Sequence, residues 1–346
     1  MSRNTNGLRR STGLMVFEVG GAMPNGSPDM NNMPRLFNDG RCWMSPVSIK
    51  RKIRDVLADH DSMTFQEIIK ITGMAADSLH ILESRLRGMN SDNPVDAKNQ
   101  ALELARNNPT AFLSKYWDVR VFGTTLLEEK DKGQEAVDEE DDEAPTDAPL
   151  PKASKSNAKS SKAKPSGKVT EEKPDEKKRV RFLRTGPVTF QPAESIAPVE
   201  AIEATIAKRF PFREKLLLQE QGDLAPMAYK FVKHGLFTMR FGVNPHVAHH
   251  TNTTAEDIEV LKKVMPYMFQ LTASAARPAG SITPVHLWWA DHENSIGSFN
   301  EYEFYRQLTP HKKAEAESPS ERMAEYEIPA KVTLKGVTAI DLLSPR

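Results

Sequence analysis

Residues 23–55 read MPNGSPDMNNMPRLFNDGRCWMSPVSIKRKIRD, a loop rich in Gly, Pro and Asn that leads into a basic segment. The apolar residues 14–19 precede this loop and predict a buried β-strand. Because Gly and Asn tolerate unusual backbone angles, the loop can bring its amide groups close to a ligand. The basic segment is a predicted helix whose outer face carries four cations: Lys50, Arg51, Lys52 and Arg54. Strand, loop and helix together predict a surface that holds a polyanion by its backbone.

The overall composition identifies no partner, because the 346 residues contain 47 Lys and Arg against 47 Asp and Glu. The distribution of charge is more informative, since residues 1–54 carry about nine cations against three acids, and a local basic patch can bind nucleic acid. Cys42 is the only cysteine, which excludes an intrachain disulfide or cysteine-based zinc site and favours the reducing cytoplasm. No apolar run approaches the ~18 residues of a membrane span, so we expect no membrane contact.

The chain divides into three parts at residues 128 and 180. Residues 128–180 contain an acidic run, VDEEDDE, followed by a Lys- and Ser-rich stretch with few large apolar residues. Such a segment cannot bury enough surface to offset its ordering entropy, so we predict disorder. It is either a solvated linker or a tail that competes with nucleic acid. Residues 1–127 and 181–346 are then the two parts of one core.

The pattern of apolar residues predicts helices and strands in both parts. Ser45 and Pro46 are typical of a helix start, and Thr254 with Asp257 indicates a capping pair, with a bend at Pro266. Further helices are predicted at 64–71, 75–86, 198–209 and 254–271. Strands are predicted at 117–126, 187–191, 228–232, 236–241, 283–289 and 331–338. This order predicts an α+β fold with a ferredoxin-like core and large helical and loop insertions.

Several segments, taken in order, resemble the backbone subunit of type I CRISPR surveillance complexes (Cascade), in the Csd-type, type I-C-like branch. They are MPNGSPD at 23–29, NMPR at 32–35, KRKIR at 50–54, DVRVFG at 118–123, GPVTF at 186–190, HGLF at 234–237 and SAAR at 274–277. Two positions depart from the family pattern, since Met23 replaces an Asn and Ser27 replaces an Asp. The resemblance covers most of the chain outside residues 128–180.

The resemblance implies an RRM-like core and a structural, non-catalytic role in antiviral defence. Such a subunit polymerises along the CRISPR RNA (crRNA) and presents it for pairing with target DNA. The implied partners are copies of the chain itself, a subunit that caps the 5′ handle of the guide, a large subunit and a small subunit. No cofactor is implied.

The candidate RNA contacts come from the basic helix and from the loops. They are Asn25, Gly26, Arg35, Arg41, Lys50, Arg51, Lys52, Arg54, Arg120 and Arg277. Contacts to phosphates position a strand without reading its sequence, which a subunit that accepts every guide requires. Phe237, Met239 and Phe241 either wedge between bases or form a strand face packed in the core. We also expect that changing Lys50, Lys52 and Arg54 to Ala spares the fold.

Two other functions remain open at the level of sequence. The chain contains no nucleotide-binding, hydrolase or metalloprotease motif, and we predict no catalytic residue and no metal. A metal-independent endoribonuclease that matures CRISPR RNA would need a histidine such as His234 or His286 as acid or base, or Asp29 at a phosphate. His246, His249 and His250 could hold a metal ion. Residues 64–86 resemble a helix-turn-helix of a DNA-binding regulator, or form a helical elaboration on the core.

Overall fold

The computed structural model describes residues 7–84, 94–127, 181–208, 225–334 and 336–344. The described residues up to Leu126 and from Phe182 onwards belong to one compact unit, whose fold is given below. The predicted disorder of residues 128–180 concerns residues outside the described ranges.

An antiparallel sheet of eight strands is the centre of this unit. Its strands are β1 (Ser11–Ala22), β2 (Arg41–Met44), β5 (Val188–Phe190), β6 (Ala193–Pro198), β7 (Ala201–Lys208), β8 (Ala225–Val243), β9 (Ile282–Asp291) and β12 (Ala339–Asp341). Their order in the sheet is β12-β9-β1-β8-β6-β2, and β5 and β7 also pair with β8. Two separate pairs are β3 (Gly123–Leu127) with β4 (Arg181–Thr185), and β10 (His311–Lys312) with β11 (Tyr326–Glu327). The predicted strand at 14–19 is the buried middle of β1.

The long strand β8 corrects two predictions from the sequence. The expected pair of strands at 228–232 and 236–241 is one continuous strand, because His234 and Gly235 stay in register with Gly20 and Val19 of β1. The expected helix at 198–209 is β7, which pairs with the first part of β8 from Val232 to Ala225. Since β1 ends opposite Val232, β7 and the start of β8 continue as a two-stranded ribbon beyond it.

Helices cover one face of the sheet. Those that pack in the core on this face are α1 (Pro46–Ala58), α2 (Met63–Thr72), α5 (Trp117–Phe122), α7 (Ala255–Val264) and α8 (Met268–Leu271). Three further helices are α3 (Pro94–Asn107), α4 (Pro109–Lys115) and α6 (Ala248–Thr251). The predicted caps are confirmed: the Ser45 hydroxyl accepts from the backbone N–H of Ser48, and Thr254 with Asp257 forms a capping box. The bend expected at Pro266 is a 3-10 turn, Met265–Tyr267, between α7 and α8.

The opposite face of the sheet is also covered. Helix α9 (Glu301–Leu308) buries Phe304 and Leu308 there, in a second apolar cluster with Leu14, Val16 and Trp288. The central strands therefore contribute side chains to two cores, one on each face. An α+β fold with both faces of its sheet buried is the result.

Three further predictions of elements are wrong. The segment at 75–86 forms only a 3-10 turn, Ala76–Ser78, within the described residues up to 84. The segment at 117–126 begins as helix α5 and becomes strand only at Gly123. No strand forms at 331–338 among the described residues there, and the last strand is Ala339–Asp341. No helix in the described ranges is long and apolar enough to cross a membrane.

Two glycines bring the chain together where β3 leaves the core and β4 returns. A Cβ atom on Gly123 would lie 2.2 Å from the Arg184 carbonyl oxygen, and one on Gly186 would lie 2.4 Å from the Gly123 nitrogen. Gly123 also has a φ of +77°, which favours glycine. Both motifs that the sequence singled out, DVRVFG and GPVTF, therefore meet through backbone atoms, with no room for a side chain.

We expect Gly186→Ala to lower the free energy of unfolding by about 3 kcal/mol, the upper end of overpacking costs, because backbone atoms cannot move aside as a side chain does. Chemical denaturation measures this change. Gly20→Ala is the matched control, since an added Cβ at Gly20 meets nothing within 4 Å. Equal losses in the two variants would contradict the backbone contact.

Candidate nucleic-acid interface

The loop after β1 is held in shape by its own polar groups. The Asn25 side-chain oxygen accepts from the Ser45 N–H at 2.9 Å, which ties the loop to the start of α1. The Asn25 carbonyl accepts from the Arg35 N–H at 3.2 Å. Asn31 and Asn32 have φ values of 49° and 57°, which few residue types adopt as readily. The asparagines of this loop thus fix its backbone.

A second loop, after α8, lies against the first. The Met23 N–H donates to the Ala276 carbonyl at 2.9 Å, and the Arg277 guanidinium donates to the Met23 carbonyl at 3.4 Å. Ser274 and Arg277 exchange two backbone hydrogen bonds of 2.9 Å. The loops at 23–45 and 271–281 are therefore built together, although some 230 residues separate them in the sequence.

A cleft of about 530 Å³ opens between these loops and the first two turns of α1. Its charged lining comprises three cations, Arg51, Lys52 and Arg277, against one carboxylate, Asp55. Its polar lining includes Asn25, Ser45, Ser48, Thr272 and Ser274. The start of α1 adds the partial positive charge of a helix N-terminus. The cleft is therefore electropositive, with hydroxyl and amide groups between its cations, as phosphate oxygens require.

Four of the predicted RNA contacts lie together in this cleft: Asn25, Arg51, Lys52 and Arg277. Gly26 adjoins it in the first loop, where an added Cβ would lie 3.2 Å from the Asn32 carbonyl oxygen. Arg51 also contacts Asp55 at 3.9 Å and the Glu83 carbonyl. Lys52 lies deeper than the sequence indicated, with 4% of the residue exposed and its Nζ 5.6 Å from the Phe269 ring.

Arg35 and Arg41 lie beside the same loop. The Arg35 Nε donates to the Gly26 carbonyl at 3.1 Å, and its guanidinium stacks 4.8 Å from the Trp43 ring. Arg41 pairs with Asp39 at 2.7 Å and with Glu194 at 3.1 Å. The hydrogen bond from Arg41 lowers the pKa of Asp39, so this carboxylate stays charged and competes with a phosphate for Arg41. Arg35 is therefore the better candidate for a phosphate contact, because its contacts with Gly26 and Trp43 involve no carboxylate.

The sequence placed all four cations of α1 on its outer face, and this is wrong for Lys52 and Arg54. Arg54 is 5% exposed and bridges Asp118 and Glu83, at 3.0 Å each. Burial lowers the pKa of Lys50, and the charge of Arg54 adds to this effect. Changing Arg54 to Ala would leave the Asp118 carboxylate buried without its cation, so the triple alanine variant should lose stability, contrary to the expectation from the sequence.

Arg120 lies in the interior, fully buried, on helix α5. Its Nε and Nη2 donate to the Asp257 carboxylate at 2.7–3.2 Å. Its remaining N–H groups donate at 2.8 Å to the carbonyls of Leu113, Ser114 and Ser78. The protein itself thus uses all five donors of the guanidinium. Arg120 and Arg54 are both buried and ion-paired within the protein, so we leave them out of the proposed set of RNA contacts.

The three residues considered for base wedging are part of the core. Phe237 and Met239 are 0% exposed and Phe241 is 3% exposed. Phe237 stacks on Phe17 with ring centroids 5.4 Å apart, and Phe241 packs on Trp289 at 5.3 Å. The structure supports the second of the two alternatives, a strand face packed against the helices.

The two histidines that the sequence offered for catalysis, His234 and His286, form hydrogen bonds with residues distant in the sequence. His234 is buried between the Ser320 hydroxyl at 2.7 Å and Glu18 at 3.0 Å. His286 bonds Asp341 at 2.7 Å and stacks on Trp288. Asp29 is exposed in the 3-10 turn Pro28–Met30. In the described part of the chain, no group of three His, Cys, Asp or Glu residues is placed to hold a metal ion, so a site at His246, His249 and His250 finds no support.

One contact of this surface had no signal in the sequence. Lys230, on the ribbon of β7 and β8, donates to the Asn31 carbonyl and lies 3.4 Å from Glu203. It ties the ribbon to the first loop across 199 positions of sequence. Side chains alternate between the two faces of a strand. Once β8 is known to extend over Ala225–Val243, this alternation places Lys230 on the face of the ribbon that meets the first loop.

Comparison with known proteins places the chain in a family. The family described as CRISPR-associated protein Cas7 matches residues 9–137 and 166–331. No curated protein matches the chain. A chain of the solved structure "CRISPR RNA-guided surveillance complex, pre-nicking" is 14% identical, with 81% of this chain and 75% of that chain covered and a TM-score of 0.37. A chain of "CRISPR RNA-guided surveillance complex" is 13% identical, with coverages of 80% and 68% and a TM-score of 0.34. Since the family match spans most of its length, this chain belongs to the Cas7 family of CRISPR-associated proteins.

Proposed function

We propose that this Cas7-family chain is the structural RNA-binding subunit of a CRISPR interference (Cascade) complex. Copies of it polymerise along the crRNA and present the guide for pairing with target DNA in antiviral defence. The observation that carries the proposal is the cleft, where two cations of α1, Arg51 and Lys52, converge with Arg277 from the loop after α8. More than 220 residues of sequence separate Arg277 from Lys52, so only the folded chain brings these charges together.

The chemistry of the cleft suits a strand held by its backbone. Arg51 and Arg277 present planar guanidinium groups, which match phosphate oxygens in pairs. The polar groups between them, such as Ser45 and Ser274, donate hydrogen bonds to any phosphate. The aromatic residues that read bases in many RNA-binding sheets are buried here, as Phe237 and Phe241 are. Recognition of sequence then falls to base pairing, as in other RNA-guided systems.

We also propose an RRM-like core. The order of β1, α1, β6, β8, α7 and β9 along the chain supports it, because it follows the β-α-β-β-α-β pattern of ferredoxin-like folds. In sheet order, β1 and β8 are central and β9 and β6 flank them. An RRM stacks RNA on the open face of its sheet. Helix α9 covers that face here, so we place the RNA at the loops beyond the end of β1.

The partners follow from this role. They are the crRNA, target DNA through guide pairing, further copies of the chain, a subunit that caps the 5′ handle, a large subunit and a small subunit, all in the cytoplasm.

We propose that the chain is not an enzyme, because His234 and His286 are engaged in structural hydrogen bonds. We further propose residues 1–127 and 181–346 as one core with 128–180 inserted. The gap in the family match at 138–165 supports this.

The purified protein should bind unrelated single-stranded RNAs of equal length with nearly equal affinity and return them uncut. Contacts to phosphates release counterions, so affinity should fall steeply between ~50 and ~200 mM salt. Filter binding measures both properties, and gel analysis of the recovered RNA tests cleavage. A strong preference for one sequence at matched length would contradict the proposal. Metal-independent cleavage of repeat RNA that is lost on changing His234 would support the endoribonuclease alternative instead.

A further inference from the structure

A second polar hollow lies at the other end of β1 from the basic cleft. It measures about 260 Å³, and its lining includes Thr12, Thr189, Gln191, Arg240 and Tyr305. Thr12 is the second residue of β1, whereas the basic cleft is lined by Asn25, three residues beyond the strand's last residue, Ala22. With a rise of ~3.3 Å per residue, Thr12 and Ala22 lie roughly 33 Å apart along the strand. The hollow is therefore independent of the cleft proposed to hold RNA.

Two arginines line this hollow, and their surroundings differ. Arg10 is bound to Glu301, with Nε and Nη2 at 3.1 and 2.7 Å from one carboxylate oxygen. The Arg240 guanidinium lies 4.8 Å from the centre of the Tyr305 ring. It makes no hydrogen bond or ion pair with any residue that the structure describes. The lining thus carries two cations and one carboxylate, and Arg240 supplies the excess positive charge.

Tyr305, the aromatic neighbour of Arg240, remains neutral. Its hydroxyl donates to the Phe241 carbonyl at 3.4 Å, and burial, with the nearby Glu301, raises the pKa of Tyr305 to about 12. A guanidinium stacked on a ring keeps its N–H groups at the edge, where they can donate in the plane. Arg240, an exposed residue, therefore lies against the Tyr305 ring with its N–H donors at the hollow.

Neutral polar groups complete the lining. Thr189 and Gln191 contribute a hydroxyl and an amide from the segment around β5. The Asn244 side-chain oxygen accepts from the His246 N–H at 3.1 Å, which leaves its NH₂ group to donate. The volume is smaller than the ~300–1,000 Å³ of pockets for drug-sized ligands. A small anion with several acceptor oxygens matches these donors and this size.

We propose that this hollow is a phosphate-binding site with Arg240 as its principal ligand. Guanidinium groups bind phosphate through two parallel hydrogen bonds, and hydroxyl and amide donors satisfy the remaining oxygens. The phosphate belongs either to a nucleic-acid backbone or to a free or terminal nucleotide. The site does not rest on the proposed function, because none of its residues lines the basic cleft.

Fluorine NMR of the nuclease-treated full-length protein tests this site. The chain has six tyrosines, so incorporation of 3-fluorotyrosine gives few resonances, and Tyr305→Phe identifies the one beneath Arg240. Titration with inorganic phosphate should shift this resonance to saturation. Arg240→Gln should weaken the dissociation constant by about tenfold or more, since it removes a charge-assisted pair of hydrogen bonds. Arg306→Gln, an exposed arginine on the same helix as Tyr305, should change nothing.

The outcomes separate the sources of phosphate. A shift of the Tyr305 resonance by the dinucleotide ApA, which has only a diester, assigns the site to a nucleic-acid backbone. A shift by AMP alone assigns it to a free or terminal nucleotide. Three results overturn the proposal. They are a Tyr305 resonance that inorganic phosphate does not move, equal dissociation constants in wild type and Arg240→Gln, and a resonance that responds to neither ApA nor AMP. Arg51→Gln should leave the Tyr305 response intact, which separates this site from the basic cleft.

Discussion

Replacing Arg51, Lys52 and Arg277 together with glutamine should lower RNA affinity at least about a hundredfold, because each charge-assisted contact contributes ~1.5–3 kcal/mol. The plot of log affinity against log salt should also become less steep by about 2, since each phosphate contact on a single strand contributes ~0.7 to the slope. Filter binding at several salt concentrations measures both quantities. The three residues line one cleft, so their contributions should disappear together.

The control variant removes the same number of charges elsewhere. Lys263, Arg306 and Lys313 lie outside the cleft, and their replacement by glutamine should leave affinity within about threefold of wild type. Because Lys52 is buried, a second variant with only Arg51 and Arg277 changed leaves that residue intact, and circular dichroism checks that this variant is folded. Equal losses in the cleft and control variants would show that net charge, not this cleft, binds the RNA.

Arg120→Met should lower the free energy of unfolding by about 3–5 kcal/mol, the cost of leaving a buried charge without its partner. The Asp257 carboxylate would lose its counterion, and the carbonyls of Leu113, Ser114 and Ser78 would lose their donor. Denaturant titration followed by circular dichroism measures the change. Where the variant remains folded, its RNA affinity should equal that of the wild type.

Arg41→Ala is the matched comparison, since its ion pairs are exposed and should contribute less than about 1 kcal/mol. A second variant, Arg120→Met with Asp257→Leu, should recover part of the loss, because it removes the stranded charge as well. Recovery should be incomplete, since Asp257 also caps α7. A stable Arg120→Met variant that no longer binds RNA would return Arg120 to the set of RNA contacts.

The elements that sequence reasoning predicted correctly are those with local signals. The hydroxyl of Ser45 and the capping box of Thr254 with Asp257 act within four residues of chain, so their spacing is visible in the sequence. The strand at β7 has Ala and Glu in a helical pattern, and its pairing with β8 overrides that preference. At α5 the local preference is also overridden, in the opposite direction. Val119 and Val121 favour a strand, but all six residues of α5 are buried by tertiary contacts in a helix.

The site shows the same division. Local composition was enough to nominate Arg51, Lys52 and Arg277, but not to show that they share one cleft. Arg54 and Arg120 carry the same local signal as the cleft cations. Their partners, Asp118 and Asp257, lie 64 and 137 positions away, so only the folded chain shows that these arginines are ion-paired in the interior. Charge alone therefore does not separate a structural arginine from one available to a ligand.

The contact between Gly123 and Gly186 has a practical consequence for following this protein in an assembled complex. The two strands that flank it leave and re-enter the core at one place, so whatever joins them begins and ends there. The entropy of closing such a connection grows only slowly with its length. A fluorescent protein or an affinity peptide inserted in place of residues 128–180 should therefore report on assembly without displacing the loops that hold the cleft.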